Sequence, residues 1–169
     1  NWRSWRGNQA VMLGVQGQQT SVIDERSRVA LGSRLGKALR KHAPEGQKPT
    51  IVVTDWDGGL QGYTQKQWRK LEQKVAQQPR FSKAARSFAL VFLGIAAEVQ
   101  VDRQNRILIP QHLRDKAGLG EKAVVLSYMD TLEIWDPDRL DLRQQTEAEN
   151  LDVGDFVDDL VFPMEEDGD

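Results

Sequence analysis

One nine-residue pattern occurs twice in this chain, 78 positions apart. Residues 23–31 and 101–109 each begin with an aliphatic residue and Asp, continue through three variable positions to Arg, and end in an apolar run. Leu35 and Leu113 follow at the same offset, each in a helix-like segment. A unit that occurs twice usually shares one core with its copy. The repeat therefore limits the possible folds more than any other feature of the sequence.

The repetition continues at a second, slightly smaller offset. Residues 50–53 resemble residues 122–125, and residues 59–64 resemble residues 131–136, both 72 positions later. The six-residue difference falls in the connection after the first short helix, and loops absorb such insertions at little cost. The sequence therefore predicts an α+β fold built from two copies of a strand-strand-helix-strand-strand-helix unit.

Turn and helix signals agree with this unit. Short apolar runs predict a pair of strands around each Asp-x-x-x-Arg segment. Asp57 and Gly58 predict a hairpin turn between the later strands of the first copy. Pro110 predicts the first turn of a helix that ends at Gly118, and Ser33 is the predicted N-cap of the corresponding first-copy helix.

The remaining helices have equally local signals. Thr64 and Asp136 are predicted N-caps of helices over residues 65–76 and 137–145. Residues 82–96 place apolar side chains on one helical face, which predicts a packed helix between the two units. The core is expected to hold the aromatic residues of the strand ends and helix faces, namely Tyr63, Trp68 and Trp135.

Composition excludes several classes of site. The 169-residue chain contains no cysteine, which removes disulfides, thiolate nucleophiles and Cys-ligated zinc and fits a reducing compartment. Its apolar run at residues 88–97 is about half the length that a membrane span needs. We therefore expect this run to belong to a core helix and the chain to have no membrane partner.

The net charge of −2 hides an uneven distribution. Residues 147–169 contain ten acidic residues and no Lys or Arg, which leaves 15 acidic and 23 basic residues in residues 1–146. A basic body permits a polyanionic partner but does not require one, because many basic surfaces are only solvated.

The Asp-x-x-x-Arg spacing is the constellation with the clearest chemistry. Across a tight turn it brings Asp24 close to Arg28, and Asp102 close to Arg106. A carboxylate that holds one edge of a guanidinium leaves the other N–H donors for a phosphate or a base edge. The alternative is that each pair only stabilises its own turn, and both interpretations can hold together.

No other constellation supports catalysis or metal binding. Neither His42 nor His112 has a nearby Ser, Cys or second His in the sequence. The segment 55–57 imitates the start of a cation-binding loop but lacks the later ligands of a calcium loop, so a turn is expected there. We expect no enzymatic activity, no cofactor, no metal and no small-molecule substrate.

The order of these motifs resembles the MraZ family of bacterial transcriptional regulators, which look like two fused AbrB-type DNA-binding halves. The resemblance extends from about Leu13 to Asp136 and is strongest in the second copy. The segments that carry it are 93–94, 97–102, 106–110, 113–114, 117–119 and 132–136. It implies two tandem AbrB-like repeats in a swapped-hairpin β-barrel with peripheral helices, and ring-like homo-oligomers.

The resemblance also implies residue roles. In the family the Asp-x-x-x-Arg elements are the DNA-facing loops, which makes DNA-binding residues of Arg26, Arg28, Arg103 and Arg106, with Asp24 and Asp102 stapling the turns. Ser27 and Asn105 stand where the family has Gly, and Gly32 stands where it has the Pro that Pro110 preserves. These departures are expected to alter the turns and to loosen the start of the first helix.

The expected organisation follows from the repeat and the resemblance. Its parts are an N-terminal extension (1–11), a first AbrB-like repeat (12–78), a connecting helix (79–97), a second AbrB-like repeat (98–146) and an acidic C-terminal tail (147–169). In the tail, residues 151–162 are expected to form a short docking helix, with disorder after it, and the tail is expected to compete with DNA for the basic face.

The predicted function is sequence-specific regulation of transcription. The chain is expected to act in the cytoplasm, at the nucleoid, as a homo-oligomer on double-stranded DNA that carries direct repeats in promoters of division and cell-wall genes. The alternatives are a ring-forming assembly module that has lost DNA binding and an antitoxin-like module that binds a toxin partner.

Overall fold

The strands and helices follow the order that the repeat predicts. The computed structural model describes residues 14–79 and 82–151. The expectations for residues 1–11, for a docking helix at 151–162 and for the rest of the tail fall wholly or mainly outside these ranges. Within them lie β1 (Gly17–Val22), β2 (Arg28–Ala30), α1 (Ser33–His42), β3 (Thr50–Trp56), β4 (Gly59–Thr64), α2 (Gln65–Ala76), α3 (Lys83–Phe88), a π-helical turn (Ala89–Leu93), β5 (Ala97–Gln100), β6 (Arg106–Leu108), α4 (Gln111–Lys116), β7 (Lys122–Tyr128), β8 (Thr131–Trp135) and α5 (Pro137–Glu149).

The strands form a six-stranded sheet of order β1-β7-β8-β4-β3-β5 and a two-stranded sheet of β2 and β6, with every pairing antiparallel. This confirms the mixed α+β class. In the repeat, β1 corresponds to β5, β7 to β3 and β8 to β4. The strand order therefore reads the same from both edges of the sheet when each strand is replaced by its counterpart. The two halves are therefore related by an approximate two-fold axis.

The two halves exchange strands, so neither has a complete sheet of its own. Strand β1 of the first half pairs with β7 of the second, β5 of the second pairs with β3 of the first, and the pairs β2–β6 and β4–β8 also join the halves. Among the strand pairs of the described residues, the β3–β4 and β7–β8 hairpins lie within one half. The largest core cluster accordingly contains aliphatic residues of both halves, including Leu35 and Leu113.

The aromatic residues form the packing between helices and sheet. Trp68 of α2 stacks on Phe92 with ring centroids 5.8 Å apart, and Tyr63 packs against both rings. Trp135 is 7% exposed and lies in a third cluster with Leu140 of α5. The prediction of a core position is confirmed for Trp68 and Trp135, whereas Tyr63 is half-buried and packs against the cluster.

The apolar run at residues 88–97 is only partly in the core. Phe92 is 3% exposed, whereas Leu90 and Val91 are 63% and 61% exposed. The helical segment contacts the sheet through one face, so the neighbouring residues of the run point outward and the expectation of a wholly core helix was wrong for them. In the described ranges no helix combines the length and the apolarity that crossing a bilayer requires.

Most of the predicted caps and turns are confirmed. Thr64 forms a capping box with Gln67, and Asp136 accepts hydrogen bonds at the start of α5. Asp57 and Gly58 have φ of 57° and 94° between β3 and β4, as a tight hairpin turn requires. Helix α5 continues to Glu149, four residues beyond its predicted end, because no helix breaker intervenes.

The start of α1 differs from the prediction. Ser33 is the first helical residue, and the N-cap is Gly32, which makes no side-chain hydrogen bond. Gly32 has φ of 82°, and a Cβ atom there would collide with the side-chain amide of Gln19. Because Gly32 has no side chain, the end of the Gln19 side chain packs over its backbone.

A steric test of the strand exchange is available at Gly59, whose backbone contacts the Trp135 ring. A Cβ atom at this position would lie 2.5 Å from Cε2 of Trp135, and Trp135 is held in the core. We expect Gly59→Ala to lower the free energy of unfolding by about 1–3 kcal/mol, measured by urea denaturation. Gly120→Ala is the control, because a Cβ atom there meets nothing within 4 Å. Equal stability of the two variants would contradict the close β4–β8 packing.

Candidate nucleic-acid interface

The first Asp-x-x-x-Arg segment is a tight turn held by one carboxylate. Oδ1 of Asp24 accepts hydrogen bonds from the backbone N–H groups of Arg26 and Arg28, both at 2.9 Å. Oδ2 of Asp24 accepts a third from Nε of Arg28 at 2.7 Å. The carboxylate therefore fixes both the backbone of the turn and the direction of the guanidinium.

The second segment repeats this arrangement bond for bond. Oδ1 of Asp102 accepts from the backbone N–H groups of Gln104 and Arg106 at 2.8 and 2.9 Å, and Oδ2 accepts from Nε of Arg106 at 2.8 Å. Charge-assisted hydrogen bonds of this kind are about twice as strong as neutral ones.

Pairing of β2 with β6 places the two turns side by side. Val29 lies opposite Ile107, and both are buried. The N–H of Leu31 donates to the carbonyl of Asn105 at 2.8 Å, and the N–H of Ile109 donates to the carbonyl of Ser27 at 2.9 Å. The two braced arginines therefore lie at one edge of the molecule.

Four arginine side chains are accessible at this edge. The guanidinium of Arg106 also approaches Asp24, with Nη1 3.9 Å from Oδ2. The side chains of Arg28 and Arg106 are 28% and 26% exposed, whereas Arg26 and Arg103 are exposed. Within the described ranges the Nη groups of Arg28 have no hydrogen-bond partner in the protein. All six residues predicted for the site therefore lie in these two turns.

Ser27 and Asn105 take the backbone conformation that glycine favours. Their φ angles are 59° and 60°, and the hydrogen bonds of the two turns are equivalent. Two arginines stabilise these positions. Nη1 of Arg114 donates to Oγ of Ser27 at 2.9 Å, and Nη1 of Arg40 donates to Oδ1 of Asn105 at 2.5 Å. Both turns keep one geometry although neither has glycine there.

Arg40 and Arg114 are members of the site that the sequence did not reveal. Each comes from a helix of one half and contacts the turn of the other, because the strand exchange brings them together. At the 78-residue offset the counterpart of Arg114 is Gly36, and a Cβ atom at Gly36 would collide with the Asn105 side chain. The two turns therefore differ in the helix residue beside them: Arg114 contacts Ser27, whereas the equivalent residue beside Asn105 is Gly36. This difference between the two copies is visible in the sequence.

Comparisons with known proteins relate this chain to one family. A family model described as "MraZ protein, putative antitoxin-like" matches residues 92–153. The chain is 35% identical, over 89% of its length, to the Transcriptional regulator MraZ of Caldicellulosiruptor bescii, of which it covers 96%. The chain belongs to the MraZ family. The MraZ regulator of Desulfosudis oleivorans is 31% identical over 82% of this chain and 90% of its own length, and that of Ligilactobacillus salivarius is 40% identical over 60% and 71%.

Neither histidine of this MraZ-family chain has a catalytic partner beside it in the described residues. His112 contacts the carbonyl of Ile95 through Nε2 at 2.9 Å, and His42 is exposed at the end of α1. Residues 55–57 end β3 and begin its hairpin turn. In the part of the chain that the structure describes, no three His, Cys, Asp or Glu residues are grouped as a metal site would need.

The carboxyl groups of both turns have lowered pKa values. The backbone hydrogen bond from Arg28 is the largest influence on Asp24 and lowers its pKa, with further lowering by the Arg28 side chain. Burial raises the pKa of Asp102, but the hydrogen bonds from Arg106 and Gln104 outweigh burial. Both turns are therefore built around the charged form of the carboxyl group.

These shifts predict acid sensitivity of the turns. A lowered pKa in the folded chain means that the stabilisation is complete above pH of about 4, the ordinary aspartate value, and is lost as pH falls through the folded-state pKa. We expect carbon NMR titration of the side-chain carboxyl groups to give midpoints below about 3.9 for Asp24 and Asp102. Asp24→Asn should flatten the fall of unfolding free energy below that pH. An unchanged slope in this variant would contradict the arrangement.

Asn105 of the second turn has a positive φ, so substitutions there test the backbone conformation of the turn. Asn105→Ala removes the hydrogen bond from Arg40 and puts alanine, which tolerates a positive φ less well than asparagine, at φ of 60°, so we expect a loss of about 1–2 kcal/mol in unfolding free energy. Asn105→Gly loses the same hydrogen bond without the conformational cost and should lose less than about 1 kcal/mol. Urea denaturation of both variants measures the difference. Equal losses would exclude backbone conformation as the cause.

Proposed function

We propose that this chain is a transcriptional regulator that binds double-stranded DNA through its two Asp-x-x-x-Arg turns and has no enzymatic activity. The observation that carries the proposal is the pair of carboxylate-braced arginines on adjacent turns, with two further arginines exposed beside them. Membership of a family whose curated relatives are named transcriptional regulators supports it.

The four arginines are assigned two roles. Arg28 and Arg106 have a fixed direction, because Asp24 and Asp102 hold their Nε edges, and a directed guanidinium can read the acceptors of guanine in the major groove. Arg26 and Arg103 are exposed and are assigned to phosphates, which position the protein and supply much of the affinity.

Binding by one protomer is expected to be weak, because two adjacent turns reach few phosphates. We propose that several protomers in a ring-like homo-oligomer bind direct repeats together, so that the second contact gains from a high effective concentration. The exchanged strands support the further proposal that the two sheets close into a swapped-hairpin barrel. The proposed targets are promoters of division and cell-wall genes, reached in the cytoplasm at the nucleoid.

The base-reading role is tested by substitution and two kinds of DNA. We expect Arg28→Ala and Arg106→Ala each to weaken binding to a repeat-containing promoter duplex by about 10- to 100-fold, since a bidentate base contact contributes about 1–3 kcal/mol of discrimination. The loss on a random duplex should be much smaller. Fluorescence anisotropy at fixed salt measures both affinities.

Matched variants separate base reading from charge. Arg26→Ala should weaken both duplexes equally and reduce the slope of log affinity against log salt by about 1. Arg86→Ala removes an exposed arginine of α3, outside the turns, and should change neither affinity much. If Arg28→Ala weakens both duplexes equally, only a phosphate role remains. Salt-insensitive behaviour of the unmodified chain would favour the assembly or antitoxin-like alternative.

A further inference from the structure

Helices α2 and α5 occupy equivalent positions in the two halves. At the 72-residue offset their N-caps, Thr64 and Asp136, correspond, and so do their buried residues, Trp68 and Leu140. Each follows the second strand of its hairpin. The two helices would present the same surface if the approximate two-fold axis applied to side chains as it does to backbone.

Their charges are instead opposite. Helix α2 carries four basic residues and one acidic residue, whereas α5 carries two basic and four acidic residues. Lys66 corresponds to Asp138, and Arg69 corresponds to Asp141. Only the first half therefore has a basic helix at this position.

The basic side of α2 lines a cleft of about 440 Å³ against the end of α1 and the loop after it. His42, Lys66, Arg69 and Lys70 line this cleft, and none of its lining residues in the described part of the chain is a carboxylate. In residues 14–79 and 82–151 no ion pair or side-chain hydrogen bond engages Lys66, Arg69 or Lys70. The positive charge of the cleft is not neutralised within the described protein, which makes it suited to an anion.

Helix α1 connects this cleft to the DNA-facing edge. Near its C-terminal end Arg40 contacts Asp102 and Asn105 of the second turn, and His42 at its end lines the cleft. The helix contains no acidic residue, and its Lys37 and Lys41 are exposed. Arg40 and His42 are two residues apart, so the contact with the second turn and the edge of the cleft lie at the same end of α1, within about one helical turn of each other.

We propose that this cleft binds the DNA backbone beside the segment contacted by the two turns, and that it gives the chain a direction on the duplex. Two nearly identical turns related by a two-fold axis fit a duplex in either orientation. A phosphate-binding cleft on the first half alone removes that equivalence. The proposal rests on the DNA-binding function proposed above and adds a second contact surface and a polarity to it.

Charge substitutions test the cleft against a closely matched control. Lys66→Gln/Arg69→Gln changes a Lys and an Arg three positions apart in α2. Lys83→Gln/Arg86→Gln makes the same changes at the same spacing in α3, where both side chains are also exposed. We expect the α2 pair to reduce the salt slope of binding by about 2, and to weaken repeat-containing and random duplexes by the same factor. The α3 pair should leave both nearly unchanged.

The outcomes separate the two proposals. If the unmodified chain binds DNA and the α2 and α3 pairs change the salt slope and the affinity equally, the proposed role of the cleft is overturned. The proposed function then remains intact. Tighter DNA binding by the α2 pair also overturns it, and would assign the cleft to acidic residues of the chain. Failure of the unmodified chain to bind any duplex in a salt-sensitive way overturns both.

Polarity is tested by directed cleavage, which the absence of cysteine makes simple. Gln73 lines the cleft, and its counterpart at the 72-residue offset is Gln145 of α5, so both positions carry the same exposed residue. An iron chelate attached to Gln73→Cys should cut one flank of a single repeat. The same chelate on Gln145→Cys should cut that flank much less and the opposite flank weakly. Equal cutting of both flanks from either position would overturn a fixed direction.

Discussion

The pairing of β2 with β6 is the interaction on which the rest of this structure depends. It consists of three residues on each side, and its central pair, Val29 and Ile107, is buried. These strands are the second arms of the two Asp-x-x-x-Arg turns, so their pairing places both turns at one edge. Hydrogen bonds from Leu31 to Asn105 and from Ile109 to Ser27 extend the pairing into the turns themselves.

Bracing by a carboxylate gives this edge its chemistry. Each aspartate satisfies two backbone N–H groups that a tight turn would otherwise leave to solvent, and it also orients an arginine. A surface ion pair alone contributes little to stability. Here the same carboxylate also forms part of the backbone structure, so the direction of Arg28 and Arg106 follows from the turn. A directed guanidinium loses less conformational entropy on binding than a free one.

Many of the turns and helix ends were predictable from the sequence, because each depends on residues close together in the chain. The Asp-Arg spacing, the Asp57-Gly58 turn, the Thr64 and Asp136 caps and the Gly118 helix end each depend on a few consecutive residues, and the structure has all of them. The Ser33 cap was not confirmed, because Gly32, which has φ of 82° and no side chain, takes the N-cap position.

The parts that the sequence did not predict depend on contacts between the halves. The partners of Ser27 and Asn105, Arg114 and Arg40, are 87 and 65 residues away in sequence. No local pattern relates them, because their proximity requires the strand exchange first. The repeat indicated a shared core and the family resemblance implied swapped hairpins, but neither specified which helix side chains the exchange brings onto which turn.

Placing two repeats in one chain lets the halves diverge in ways that two identical chains cannot. Many buried apolar positions are equivalent in the two halves, such as Leu35 and Leu113 or Val29 and Ile107, because both halves contribute to one core. Surface positions carry no such constraint. Gly36 and Arg114 differ, and so do the charges of α2 and α5, while the turns beside them keep one geometry. A dimer of identical halves has a true two-fold axis and meets a duplex equally well in both orientations. Retaining the symmetric turns and differentiating the helices around them gives one polypeptide two equivalent braced arginines at one edge and two distinguishable ends.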